Sequence, residues 1–240
     1  MALPKIDLPV YELTIPSTGK VVKVRPFTVK EEKLLLMALE SKVASDIITT
    51  VKQVINNCLV SGEIDVEKLP FFDVDYIFIF LRAKSVGESV TVNLTCHNVL
   101  KDGNECGNRF PSEMDIAKTE TINKETNADI RLNATSGVKM RYPNYGIMRK
   151  IESLPEMEQR TEIIIASIDY IYDKKGMYSY KDYTKEELKE FVEGLTEENY
   201  NKLIEWIDNF PTVATVMEAT CDKCGFEHKV RYTEFFDFFM

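Results

Sequence analysis

At 240 residues the chain is long enough for one large domain or two small ones, and its formal net charge of -9 argues against phosphate backbones as its main partner. With 44% hydrophobic and 29% charged residues, and 13 Phe and 11 Tyr among them, it has ample core material for a globular fold. The most apolar runs, Tyr76 to Leu81 and Ile163 to Ile168, fall far short of the ~20 residues of a membrane-spanning helix. The opening residues Met1 to Pro9 lack the apolar centre of a signal peptide, so a reducing cytoplasm is expected.

Tyr11 to Ile15 and Val21 to Arg25 read as a β-hairpin around the turn-forming run Pro16 to Lys20. Gly19-Lys20 is not a phosphate loop, because Thr14 stands where that loop needs glycine and Val21 where it needs Ser or Thr. Thr28 and Glu31 have the spacing of a capping box and predict a helix through Leu39. A second helix is expected from about Asp46 to Val60, with Ile47, Val51, Val54, Ile55 and Leu59 on one face and Cys58 as a small core residue beside it. Val66 to Lys84 reads as a buried helix whose second half is capped by Asp73 and which stops at Gly87, although Ile77 to Phe80 alone also fits a strand.

The pattern then changes period. Ser89 to Thr95 alternates as a half-buried strand, and Ile130 to Ala134 and Val138 to Tyr142 are further strands joined by a turn at Thr135 to Gly137. Helical sequence returns with a capping spacing at Ser153 and Glu156 and an apolar face of Met157, Ile164, Ile165, Ile168 and Ile171. Thr184 and Glu187 open another helix, one more runs from about Thr196 to Asn209, and a strand is expected from Thr212 to Thr220. The fold class is therefore α+β. The expected organisation is an N-terminal hairpin plus helical region (1–87), a β-rich region (88–142), a helical region (143–210) and a final β segment with an aromatic terminus (211–240), joined as one unit.

Four of the five cysteines fall into two similar settings. Thr95-Cys96 ends one strand and Cys106-Gly107 begins its return; Thr220-Cys221 ends another and Cys224-Gly225 begins its return. Such zinc knuckles aim two thiolates at one ion, the glycine letting the chain reverse, and two of them make a closed structural Zn2+ site of Cys96, Cys106, Cys221 and Cys224. The fold would then hold a zinc-ribbon-like pair of β-hairpins joining distant segments. The Cys221 to Cys224 spacing is specific. The other arm carries the nine-residue insert His97 to Glu105, longer than the usual spacing of about two to four, so it must loop out. Reduced, unligated thiols and a disulfide or redox pair are the alternatives, the last disfavoured by β-like sequence after Cys224. His97 is an alternative ligand, and His228 reads as a solvent-facing strand residue.

With only these two histidines and no nucleophile or phosphate motif, no catalytic constellation is legible and a non-enzymatic protein is expected. The terminus holds Phe235, Phe236, Phe238 and Phe239, suited either to packing on this chain or to anchoring in a partner.

Asp7-Leu8-Pro9, the run Ile15 to Lys20, Arg25-Pro26-Phe27-Thr28-Val29-Lys30-Glu31-Glu32-Lys33 and Leu81-Arg82-Ala83-Lys84-Ser85-Val86-Gly87 resemble the T4-type bacteriophage baseplate proteins, specifically the hub subunit or hub assembly family. The resemblance extends over most of the chain. It implies a non-enzymatic protein made in the host bacterial cytoplasm, whose partners are other baseplate hub or tail proteins, with self-association and a place in the virion left open. The alternative is a zinc-ribbon nucleic-acid-binding accessory factor. Lys223, Lys229 and Arg231 are nearly balanced by Asp222, Glu218 and Glu227 around the second knuckle, which counts against it.

Overall fold

Turn chemistry sets the first unit. In the computed structural model, which describes residues 6–122, 127–151 and 154–233, strands β1 (Tyr11–Thr14) and β2 (Val21–Val24) pair antiparallel with Leu13 opposite Val22. Gly19, at φ +66°, donates its N–H to the Ile15 carbonyl and closes the turn. Helix α1 (Val29–Ser41) follows, its start held by the Glu31 carboxylate, which accepts from the Thr28 N–H at 2.7 Å and from the Thr28 hydroxyl at 3.0 Å. Helix α2 (Ala44–Cys58) buries Ile47, Val51, Val54 and Ile55 as its periodicity requires, with Cys58 fully buried beside them.

Two expectations change here. Helix α2 stops at Cys58 instead of reaching Val60, and β3 (Leu59–Ser61) joins the hairpin in the order β1-β2-β3. The Arg25 N–H takes the Cys58 carbonyl at 2.9 Å, which draws the chain out of the helix and into the sheet. Helix α3 (Phe71–Ser85) is continuous, and Asp73 does not cap a second half. Its fully buried carboxylate instead accepts from the backbone N–H of Ser17, at 2.9 Å, and from the Ser17 hydroxyl, tying the hairpin turn onto the first turn of α3. Ile77 to Phe80 is helical.

Helix α3 is apolar on most sides because it serves two cores. Val74, Ile77, Phe78 and Leu81 pack with α1, α2 and the first sheet, while Phe72, Ile79 and Ala83 face the cysteine-bearing hairpins. The first of those is β4 (Ser89–Thr95) with β5 (Arg109–Asp115), paired from Ser89 opposite Asp115 to Thr95 opposite Arg109. Next come β6 (Glu120–Ile122), β7 (Asp129–Arg131) and β8 (Gly137–Met140), the last two shorter than their apolar runs suggest.

The short helix α4 (Met148–Ile151) lies beside α2, and α5 (Glu156–Ser167), α6 (Lys185–Glu193) and α7 (Glu197–Asp208) build a third core around Ile164, Leu188, Val192, Leu203 and Trp206. Ile168 and Ile171, expected on the face of α5, belong instead to strand β9 (Ile168–Tyr172), and Met157 is exposed. The Arg141 N–H takes the Ser167 carbonyl at 2.7 Å and turns the chain into a sheet ordered β10-β9-β8-β7, with β10 being Met177–Ser179. Ser153 lies outside the described residues, and the described helix begins after Pro155. Thr184 and Glu187 form the expected capping box of α6, and the Thr196 hydroxyl caps α7.

The long strand β11 (Thr212–Thr220) closes the fold, pairing with β6 at its start and with β12 (Glu227–Tyr232) further on. The terminal phenylalanines Phe235, Phe236, Phe238 and Phe239 lie outside the described residues. No helix among the described residues is long and apolar enough to cross a membrane.

Candidate metal centre

Each cysteine arm is a tight turn at the end of a β-hairpin. In the second, the Gly225 N–H donates to the Cys221 carbonyl at 2.8 Å and the Cys221 N–H to the Phe226 carbonyl at 2.9 Å, with Gly225 at φ +72°. The first repeats this pattern despite its insert. The Gly107 N–H donates to the Cys96 carbonyl at 3.0 Å, and the Cys96 N–H to the Asn108 carbonyl at 2.8 Å, with Gly107 at φ +59°. Left-handed backbone is what lets both chains reverse within so few residues, and glycine adopts it without a Cβ clash. The insert folds on itself: Val99 bridges Glu105, the Leu100 N–H donates to the Asn104 carbonyl at 2.8 Å, and the Cys106 N–H donates to the Asn98 carbonyl at 2.8 Å. It therefore projects as a small loop and leaves the geometry of the turn intact.

The two hairpins pack so that the four sulfurs of Cys96, Cys106, Cys221 and Cys224 lie within 4.8 Å of one another. Across the arms, Cys96 Sγ and Cys224 Sγ are 3.6 Å apart, and Cys106 Sγ and Cys221 Sγ 3.9 Å. A regular tetrahedron with metal–sulfur bonds of about 2.3 Å has edges of about 3.8 Å. The spacing fits a four-thiolate ion, and all four cysteines are free thiols, too far apart for disulfides. Cys96, Cys106 and Cys221 are buried and Cys224 is partly exposed at the rim.

The surroundings favour negative sulfur at one arm. At Cys221 burial disfavours the thiolate, but the backbone N–H groups of Cys224 and Lys223 and the Asn108 amide outweigh it, bringing the thiol down to about 6. At Cys96 burial dominates and pushes the thiol up to about 12. The Asn108 amide donates to Cys221 Sγ at 3.6 Å and the Asn98 amide to Cys224 Sγ at 3.7 Å, each reaching across to the opposite arm. Such donors orient and soften thiolate ligands. These two asparagines were not singled out from sequence; the only signal was the position of Asn108 immediately after the knuckle glycine.

The other candidates separate cleanly. Cys58 sits in a different core, its thiol pushed up to about 12 mainly by burial. His97 stands on the exposed insert and pairs with Glu105, so it is not part of the cluster. His228 is on β12 as expected but does not face solvent. Its half-buried ring sits 4.9 Å from Phe226 and 5.8 Å from Phe110, centroid to centroid. The reason is that the β11–β12 hairpin lies against β5, which supplies Phe110.

Fold and site together define an α+β protein in which two distant knuckles converge on four thiols able to hold a metal ion. The chain belongs to the T4 bacteriophage base plate protein family, whose model matches residues 8–240. No curated protein and no solved structure gives a match.

Proposed function

We propose that this chain is a non-enzymatic component or assembly factor of the central hub of a T4-type tail baseplate, acting through contacts with other tail proteins in the host bacterial cytoplasm. The observation that carries the reading is the family match over residues 8–240, which spans both cysteine arms and every core. The hub assignment within that family is supported by the hairpin-to-helix run Asp7 to Lys33 and the segment Leu81 to Gly87.

The metal is Zn2+ in this reading, held by Cys96, Cys106, Cys221 and Cys224, since an all-sulfur tetrahedral set suits zinc and leaves no open position for a substrate. Bound there, the ion supplies a cross-link between residues more than a hundred positions apart. The chain's own residues do the rest. Gly107 and Gly225 shape the turns, and Asn98 and Asn108 donate to the sulfurs.

Metal analysis of the purified protein beside a variant with Cys221 and Cys224 changed to Ser tests the site. About one zinc per wild-type chain and none per variant is expected. A folded, metal-free wild type overturns the zinc assignment. Mass spectrometry of purified tails and of tail-assembly intermediates tests the role. Recovery with hub proteins supports it, and absence from both overturns it.

A further inference from the structure

At the third core, not the one that holds the four clustered cysteines, the β9–β10 hairpin and helix α6 line an open pocket of about 410 Å³, a size at which ligands are commonly held. Four aromatic rings, Tyr172, Tyr178, Tyr183 and Phe191, and two carboxylates, Asp173 and Glu187, line it, and no lysine or arginine does so among the described residues. The rings are positioned by specific contacts. Tyr172 donates its hydroxyl to Asp129 at 2.7 Å and lies over Gly137, where a Cβ would come within 2.3 Å of the Tyr172 hydroxyl oxygen and 2.7 Å of the Ile130 carbonyl. Tyr178 and Tyr183 meet edge to face, 6.3 Å apart.

The carboxylates are held in the same way, each by one oxygen. Asp173 Oδ1 accepts from the N–H groups of Lys175 and Gly176 at 2.7 and 3.1 Å and from the Tyr178 hydroxyl at 3.1 Å. Glu187 Oε2 accepts from the Thr184 N–H at 2.8 Å and its hydroxyl at 2.9 Å. Among the described residues, Asp173 Oδ2 and Glu187 Oε1 accept no hydrogen bond. Backbone donors hold both carboxyls below the usual range, so both are ionised at neutral pH. Lys185, next to the pocket in sequence, is engaged by Glu162 at 2.8 Å.

We propose that this pocket is a docking site for a single lysine or arginine side chain carried by a partner protein. Aromatic faces attract a cation through their quadrupoles, the apolar lining suits the methylene stem, and two fixed carboxylates with a free oxygen each complement the charged head. The acidic, lysine-free lining disfavours an acidic or purely apolar occupant by the same physics. The inference stands whether or not the cysteines hold zinc.

The test is a titration of the full-length protein, labelled in its tyrosine rings, with N-acetyl-arginine methylamide, N-acetyl-lysine methylamide and N-acetyl-norleucine methylamide, followed by NMR. Saturable shifts of Tyr178 and Tyr183 with the two cationic probes, and at least a few-fold weaker response to norleucine, are expected. Asp173→Asn keeps the oxygen that caps the turn, and Tyr183→Leu keeps apolar volume without the π face. Each should weaken the cationic probes by about two- to five-fold while leaving norleucine unchanged. An equal response to norleucine, or no saturable shift at these rings, overturns the proposal. Tighter binding of free spermidine than of either capped amino acid overturns the assignment to a protein side chain.

Discussion

Glu31 shows how one side chain can serve a helix start and a long-range contact together. It caps α1 and also receives the guanidinium of Arg25 in a fork at 2.8 and 3.0 Å, while Arg25 reaches on to the Asn57 carbonyl at 2.8 Å. Burial opposes its charge, but the Arg25 fork and the Thr28 donors outweigh that and hold the carboxyl down at about 2. Because this lies below the value of 4.5 for a free carboxyl, the ionised form is favoured in the folded state. The stabilisation is full above about pH 4.5 and is lost as pH falls towards 2. Changing Glu31→Gln should cost on the order of 2–3 kcal/mol at neutral pH and flatten the stability profile across that window, as read by urea unfolding at stepped pH. A variant with the wild-type acid slope would show that another carboxylate sets it. The buried Thr119 and Thr215 hydroxyls, 2.6 Å apart, make a complementary case. Thr119→Val alone strands the Thr215 hydroxyl and should cost about 1–3 kcal/mol, whereas the double valine variant should recover most of that loss. Additive losses in the cycle would mean that the two hydroxyls are not coupled.

Among the elements, those with both a period and a boundary mark were legible in the sequence. Strand β4 alternates along its length, and α6 and α7 announce themselves through Thr184, Glu187 and Thr196. The misread segments are those decided at long range. Leu59 to Ser61 and Ile168 to Tyr172 continue a helical pattern locally, yet each is captured by a distant strand, β2 and β8 respectively. Strands β6 and β10 are three residues each, too short for alternation to show. For the cysteines, the paired Thr-Cys and Cys-Gly signatures showed which residues meet. How the hairpins cross, and hence which amides reach the sulfurs, depends on packing against α3 that no local pattern encodes. The β7–β8 pair illustrates the same dependence on a neighbour. Gly137 is needed for close approach of Tyr172 and of the Ile130 carbonyl, so Gly137→Ala should destabilise the fold by about 1–3 kcal/mol. Adding Tyr172→Ala should restore only part of the loss, because the backbone carbonyl still obstructs the Cβ; thermal unfolding of the three variants reads this directly. Full rescue would place the whole clash on the tyrosine ring.

At the scale of the molecule, α3 joins two cores that differ in what holds them. The core beneath α1 and α2 is closed by aliphatic and aromatic packing, with Phe78 fully buried, and by the Asp73 grip on the hairpin turn. The core on its other face contains Cys96, Cys106 and Cys221 among Val90, Val92, Phe110, Met114, Val213 and Met217, and its two hairpins meet at the sulfur cluster. If zinc occupies that cluster, its binding free energy becomes stability of this core in particular, since the free thiols would be left close-packed and in part charged. The third core, around Leu203 and Trp206, contains none of the four clustered cysteines. Stripping the metal with a chelator should therefore act unevenly. Hydrogen exchange should quicken first at the turns between Thr95 and Arg109 and between Thr220 and Glu227, then along β4, β5, β11 and β12. Amides of α6 and α7 should keep their protection until global unfolding. Uniform loss of protection over all three cores would show that the cluster holds up the entire chain as one cooperative unit. No change at either turn would mean that packing alone keeps the hairpins together.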